Sequence, residues 1–118
     1  MTNITLDAAS QIADATLAKG RDAGMMPLTV AVLDSGGHMV AFKREDGSGI
    51  LRPEIAFGKA WGAIGMGISS RLLRDRLADR PTFIGALSTA SGGRLIPVPG
   101  GVLVRDDNGA VMGAVGVS

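Results

Sequence analysis

The chain contains no cysteine and no tyrosine, and only one tryptophan, one histidine and three phenylalanines. Without cysteine there is no disulfide framework, no thiolate metal site and no thiol nucleophile. A closed structural zinc site needs about four ligands, which one histidine and no cysteine do not supply. So few aromatic rings exclude a base-stacking platform of the single-strand-binding kind. Neither sign of charge is in excess: the net charge is +1. No strong field therefore draws nucleic acid or a membrane surface toward the protein. No apolar run reaches membrane-spanning length. The start, Met1-Thr2-Asn3-Ile4-Thr5-Leu6-Asp7, has neither a basic flank nor an apolar stretch and is not read as an export signal. A cytoplasmic protein with no nucleic-acid or membrane partner is expected. Two catalytic signatures are missing as well. There is no G-x-S-x-G elbow for a serine hydrolase. Gly92-Gly93-Arg94 lacks the G-x-x-x-x-G-K-[ST] pattern of a phosphate loop.

What the chain has in plenty is glycine, 18 of 118 residues, about twice the usual share. The glycines follow no period and read as turns and close packing. A chain of this length is expected to form one domain over residues 1–118 and to bury about two-thirds of its unfolded surface.

The order of elements reads α-β-β-α-α-(α)-β-β. Thr5 is a plausible N-cap for a helix carrying Leu6, Ala9, Ile12, Ala13, Thr16 and Leu17 at helical spacing, ending at Gly20 or Gly24. Leu28 to Leu33 is a continuous apolar run, which predicts a central strand covered on both faces. Asp34-Ser35-Gly36-Gly37 is a turn, and Met39 to Phe42 is the returning strand. Lys43 to Gly49 reads as a charged, solvated loop. Pro53 and Glu54 open a second helix, Pro53 to Met66. Along it Gly58, Gly62 and Gly65 form a flat stripe, each costing about 1 kcal/mol against alanine. That stripe predicts a close neighbour. Ser69-Ser70 caps a short helix, Arg71 to Ala78, stopped by Asp79-Arg80-Pro81. Pro81 to Leu87 is read as a further helical turn or two. The last stretch, Ser91 to Ser118, places Gly92-Gly93 and Gly100-Gly101 around Pro97 and Pro99. It then runs through Val102-Leu103-Val104, the turn Arg105 to Gly109, and a final apolar strand. This predicts a rigid loop feeding a β-hairpin, within an α+β fold whose sheet is mostly antiparallel.

The candidate chemistry is sparse. His38, just after Gly36-Gly37, is the residue type best able to ligate a haem iron or move a proton near neutral pH; it is also, and more commonly, an ordinary turn residue. Arg44, Arg52, Lys59 and Arg94 could hold carboxylates, of an organic acid or of haem propionates. Ordinary surface ion pairs would explain any one of them as well. Among Glu45, Asp46, Glu54, Asp106 and Asp107 the spacing picks out no metal site.

Taken together, the residues resemble a known family. They are Val32 to Phe42 with Asp34-Ser35-Gly36-Gly37-His38; Arg44, Asp46 and Gly47; Glu54-Ile55-Ala56 and Lys59-Ala60; Ser91-Gly92-Gly93, Pro97, Gly100-Gly101-Val102; and Gly113 to Ser118. In combination they resemble the GlcG/HbpS-like haem-binding, haem-degrading proteins and the C-terminal domain of PduO-type corrinoid adenosyltransferases. The resemblance implies a profilin-like α/β sandwich with a central, mostly antiparallel five-stranded sheet and flanking helices. It implies a homo-oligomer, a tetramer or octamer. In the family pattern the final Gly-Val-Ser is followed by Gly, an acidic cluster and a C-terminal helix. One face of the last strand is therefore expected to lack that cover here, unless a neighbouring subunit supplies it.

The expected function is binding of haem or another tetrapyrrole, with possible assistance to haem breakdown. The resemblance leaves open whether the protein is an enzyme. The pocket is expected between the second helix and the glycine-proline loop. Its candidate ligand-binding residues are His38, Arg44, Asp46, Arg52, Glu54, Lys59, Gly92, Gly93, Pro97, Gly100 and Gly101, with no metal held by the protein alone. The alternative is a cofactor-free enzyme or accessory protein of organic-acid, diol or aromatic catabolism. There Arg44 and Lys59 would clamp a carboxylate, and Asp46 or His38 would move a proton. A third option is an assembly module without pocket chemistry.

Overall fold

The structure is a computed structural model and describes residues 3–118. The part of the export-signal reading that rests on Met1 and Thr2 lies outside the described residues. Helix α1 (Leu6–Asp22) starts where Thr5 accepts a hydrogen bond from the Ala8 amide, with Asp7 in the first turn and Lys19 and Arg21 in the last. These charges suit the ends of the helix dipole. Its buried residues are Ala9, Ala13 and Gly20. Small side chains there let the helix lie close on the sheet. Gly20 is therefore inside the helix, which stops before Gly24, at φ +69.

Strands β1 (Thr29–Asp34) and β2 (Met39–Arg44) form an antiparallel hairpin with a bulge opposite Val32 and Leu33. Lys43 and Arg44, expected in a loop, extend β2 by pairing with Val30 and Thr29. On an edge strand their charges find partners beside the sheet: Lys43 meets Asp14, and Arg44 donates to the Ser48 carbonyl at 3.1 Å. Helices α2 (Arg52–Met66), α3 (Ser70–Leu77) and α4 (Pro81–Ala90) follow, then β3 (Gly101–Arg105) and β4 (Val111–Val117). Ser69 caps α3 by accepting from the Leu72 amide.

The sheet has four strands in the order β2-β1-β4-β3, all antiparallel. This corrects the expected five. The segment between α4 and β3 adds no strand because Pro97 and Pro99 have no N–H to give a ladder. Its Ile96 amide instead donates to the Gly58 carbonyl of α2, at 3.3 Å. No fifth strand forms among the described residues.

The two faces of the sheet carry different side chains, as strand alternation requires. Val30, Val32 and Val115 pack with Ile4, Ala9 and Ala13 beneath α1. Leu33 and Ala114 pack with Ala60 and Ala63 of α2. The central position of β1, predicted from its apolar run, is what the strand order shows. β4 is likewise buried from Gly113 to Gly116, so the expected bare face of the last strand is not seen there. Gly116 is the reason α2 can sit so low: a Cβ there would overlap the Ala56 carbonyl. A third cluster, Leu73, Leu77 and Leu95 with Phe83, Ile84 and Leu87, ties α3 and α4 to the end of α2. Among the described residues, no helix is long and apolar enough to cross a membrane.

Candidate functional site

α2 covers β1, β4 and β3 but leaves β2 aside. Met39 and Phe42 pair with Leu33 and Ala31, so they share the α2 side of the sheet, yet both stay exposed. The space left open is a groove of about 540 Å³. Its walls are the start of β2 (Met39), the first turns of α2 (Leu51, Pro53, Glu54, Ile55, Phe57) and the segment after α4 (Gly92, Gly93, Arg94, Ile96). This size is within the usual range for small-molecule sites. The lining is apolar apart from Glu54 and Arg94.

The segment after α4 is held from beneath. The Gly93 amide donates to the Ser88 carbonyl (2.7 Å) and the Gly92 amide to Thr89 (3.0 Å), closing the helix with both glycines at positive φ. A Cβ at either would meet nothing within 4 Å. Glycine is needed there for conformation, not for space. Ser91 is buried, and its hydroxyl accepts from the Leu95 amide and donates to the Ser88 carbonyl. Gly58 fits under this segment because a Cβ would overlap the Arg94 carbonyl, and Gly62 lies against Leu95. Two of the three stripe glycines thus have their close neighbour. Gly65 has none within 4 Å.

Arg94 is the best-positioned cation of the groove. Its Nε donates to the Ser91 carbonyl at 2.8 Å, and its guanidinium lies 4.3 Å from the centroid of the Trp61 ring. Such stacking is worth about 0.5–1 kcal/mol at an exposed site. Trp61 in turn lies against Gly37 of the β1–β2 turn, where a Cβ would come 3.1 Å from the indole nitrogen.

The other residues singled out from the sequence lie in separate places. Glu54, Gly92 and Gly93 line the groove. Arg44 and Asp46 line a charged cleft at the far end of β2 with Arg21, Pro27 and Glu45, where Arg21 and Glu45 pair at 2.9 Å. Arg52 donates to the Ser118 hydroxyl at 3.0 Å. Lys59, only 9% exposed, donates to the Val117 carbonyl at 2.9 Å. Gly100 and Gly101 pack on the same part of α2: a Cβ at Gly100 would meet the Lys59 side chain, and one at Gly101 the Lys59 carbonyl. Neither they nor Pro97 line the groove. Met39, Leu51, Pro53, Ile55, Phe57 and Ile96 were not singled out, because apolar side chains on a groove wall look like core side chains in a sequence.

Two groups depart from ordinary proton affinity. The Asp34 carboxylate is held below the usual range chiefly by the His38 amide; burial opposes this, and the Gly36 amide and the His38 ring add to the lowering. Its Oδ1 accepts from both amides at 2.9 and 3.0 Å and lies 3.1 Å from His38 Nδ1. The histidine side chain is otherwise 81% exposed and its ring is tied to the turn. The Lys59 ammonium is pushed down, first by burial and then by the charge of Arg52. Among the described residues no three His, Asp or Glu side chains gather as a metal site. Within the groove only the Met39 thioether and the Glu54 carboxylate could donate to a metal carried in by a ligand. A flat, largely apolar group bearing carboxylates fits these walls.

An α+β sandwich with an apolar groove between one helix and an uncovered edge strand defines a small-ligand-binding protein. Residues 4–118 match the family described as haem degrading protein HbpS-like, and the chain belongs to that family. No curated protein matches the chain in sequence. Among solved structures, HbpS is 29% identical with a TM-score of 0.84, the match covering 100% of this chain and 78% of that one. A double mutant of HbpS from Streptomyces reticuli is 28% identical, with a TM-score of 0.83 over 100% of this chain and 75% of that one. The Klebsiella pneumoniae protein ORFY is 28% identical, with a TM-score of 0.85 over 100% and 79%. A PduOC–haem complex, 22% identical with a TM-score of 0.87 over 99% and 83%, shares the fold.

Proposed function

We propose that this protein binds haem, or a closely related flat tetrapyrrole, in the groove between α2 and β2, in the service of haem breakdown. The observation that carries the reading is the groove itself: apolar walls, a volume of about 540 Å³ and two opposite charges, Glu54 and Arg94. Membership of the HbpS-like family supports the same ligand. Met39, Leu51, Ile55, Phe57 and Ile96 would cover the faces of the macrocycle, with the Gly92-Gly93 turn forming the rest of the wall. Met39 or Glu54 would donate to the iron, whose redox chemistry is the cofactor's own. His38 serves the turn through Asp34. Arg52, Lys59, Gly100 and Gly101 serve the packing of α2 on the strand ends. Arg44 and Asp46 belong to the distant charged cleft.

The groove is open beside exposed apolar residues, and we propose that a second copy of the chain covers them in a homo-oligomer acting in the cytoplasm. Hemin titration tests the ligand. Saturable growth of a shifted Soret band, with quenching of the single tryptophan, is expected at micromolar protein. An absorbance that rises without saturation, with Trp61 fluorescence unaffected, would remove the reading.

A further inference from the structure

Four cations were candidates for holding a carboxylate, and the fold separates them. Arg44 is bound to the Ser48 carbonyl at one end of β2, while Arg52 and Lys59 are bound at the ends of the strands. Only Arg94 lines the groove. It is not a loose surface arginine. Its Nε is committed to the Ser91 carbonyl, and its plane is set by the Trp61 ring. Ser91 is itself buried and bonded to its own turn. Among the described residues the two terminal nitrogens make no hydrogen bond and no carboxylate lies within ion-pair distance of the group. A guanidinium held in place by its Nε and its flat face, with its outer edge unpaired beside an apolar wall, is preorganised for a bidentate carboxylate.

We propose that Arg94, seated on Trp61, is the carboxylate subsite of the groove and sets its preference for amphipathic acids over neutral plates of the same shape. The inference rests on the haem-binding reading and adds to it: the propionate end of the macrocycle lies toward Arg94. Trp61 is the positioning residue, and as the single tryptophan it reports on the site.

The test compares protoporphyrin IX with its dimethyl ester by quenching of Trp61 and by porphyrin absorbance, in wild type, Arg94→Gln and Arg94→Lys. The wild type is expected to prefer the diacid by about tenfold or more, the scale of one charge-assisted pair. Arg94→Gln should bind the two porphyrins alike, and Arg94→Lys should restore part of the preference. Far-ultraviolet circular dichroism establishes that each variant is folded. Equal binding of acid and ester by the wild type, or a preference that survives in Arg94→Gln, overturns the subsite and leaves the haem reading standing. Failure of the wild type to bind hemin as well as both porphyrins overturns both. Benzoate and hydroxy acids are the control for source. If they displace the diacid at comparable concentrations, the groove selects carboxylates without regard to the macrocycle, and the propionate assignment falls.

Discussion

Lys59 is placed where an ammonium is costly, and the cost is visible as a pH effect. Burial and the nearby Arg52 charge lower its proton affinity in the folded protein. In the unfolded chain the lysine keeps its ordinary value of about 10.4. Between the lowered folded value and the ordinary one, the unfolded chain therefore binds more protons than the folded one. Stability must rise with pH across that window. The chain has no tyrosine and no cysteine, so few other groups titrate there. Urea unfolding at stepped alkaline pH should show the rise in wild type and its loss in Lys59→Met. Equal slopes in the two proteins would mean that Lys59 is charged and solvated alike in both states. The same residue shows why its role was hard to read in the sequence. A lysine in a family motif suggests a ligand contact, but the Nζ is spent on the Val117 carbonyl, a partner 58 positions away that no local pattern indicates.

At the scale of the element, α2 decides where the groove lies, and its glycines decide how α2 packs. The usual effect of Gly→Ala in a helix is a gain of about 1 kcal/mol. Gly65, with open space around its missing Cβ, should follow that rule. Gly58 should reverse it, because a Cβ would press on the Arg94 carbonyl and Ile96. We expect Gly65→Ala to raise the unfolding free energy by about 1 kcal/mol and Gly58→Ala to lower it by about 1–3 kcal/mol. Thermal or urea unfolding measures both, and a stabilised Gly58→Ala would show that the 94–96 segment is not held against the helix. The sequence shows the stripe and its unusual cost but not which glycine meets what. The elements themselves were largely legible: Thr5 and Ser69 as caps, the apolar β1 as a central strand, Asn108-Gly109 as a turn. The number of strands was not, since the fifth came from likeness and not from any β-rich run in these residues. In the site, Gly92, Gly93 and Glu54 stand out by type. Met39 and Phe57 do not, because their exposure depends on α2 leaving β2 uncovered.

The uncovered strand also bears on the molecule as a whole. α2 spans β1, β4 and β3, so Met39 and Phe42 of β2, on that face, stay exposed. Ile50 is 93% exposed and Leu51 62%, in the loop that leads from β2 into α2. Leu51 also lines the groove with Met39, so apolar side chains continue from the groove wall to the exposed Ile50 next to it in the chain. Contiguous apolar surface of this kind on a water-facing protein marks a place of association. A second copy laid over Ile50 and Leu51 would bury them and narrow the mouth of the groove, coupling assembly to ligand retention. Ile50→Glu puts a charge in that contact without touching a residue that lines the groove. It should reduce the mass seen by size-exclusion chromatography with light scattering from a multiple of the chain to the single chain, and speed the release of hemin. An unchanged mass in Ile50→Glu would place the subunit contact elsewhere. A single-chain mass in the wild type would leave the groove open on its own, with hemin release then set only by its walls.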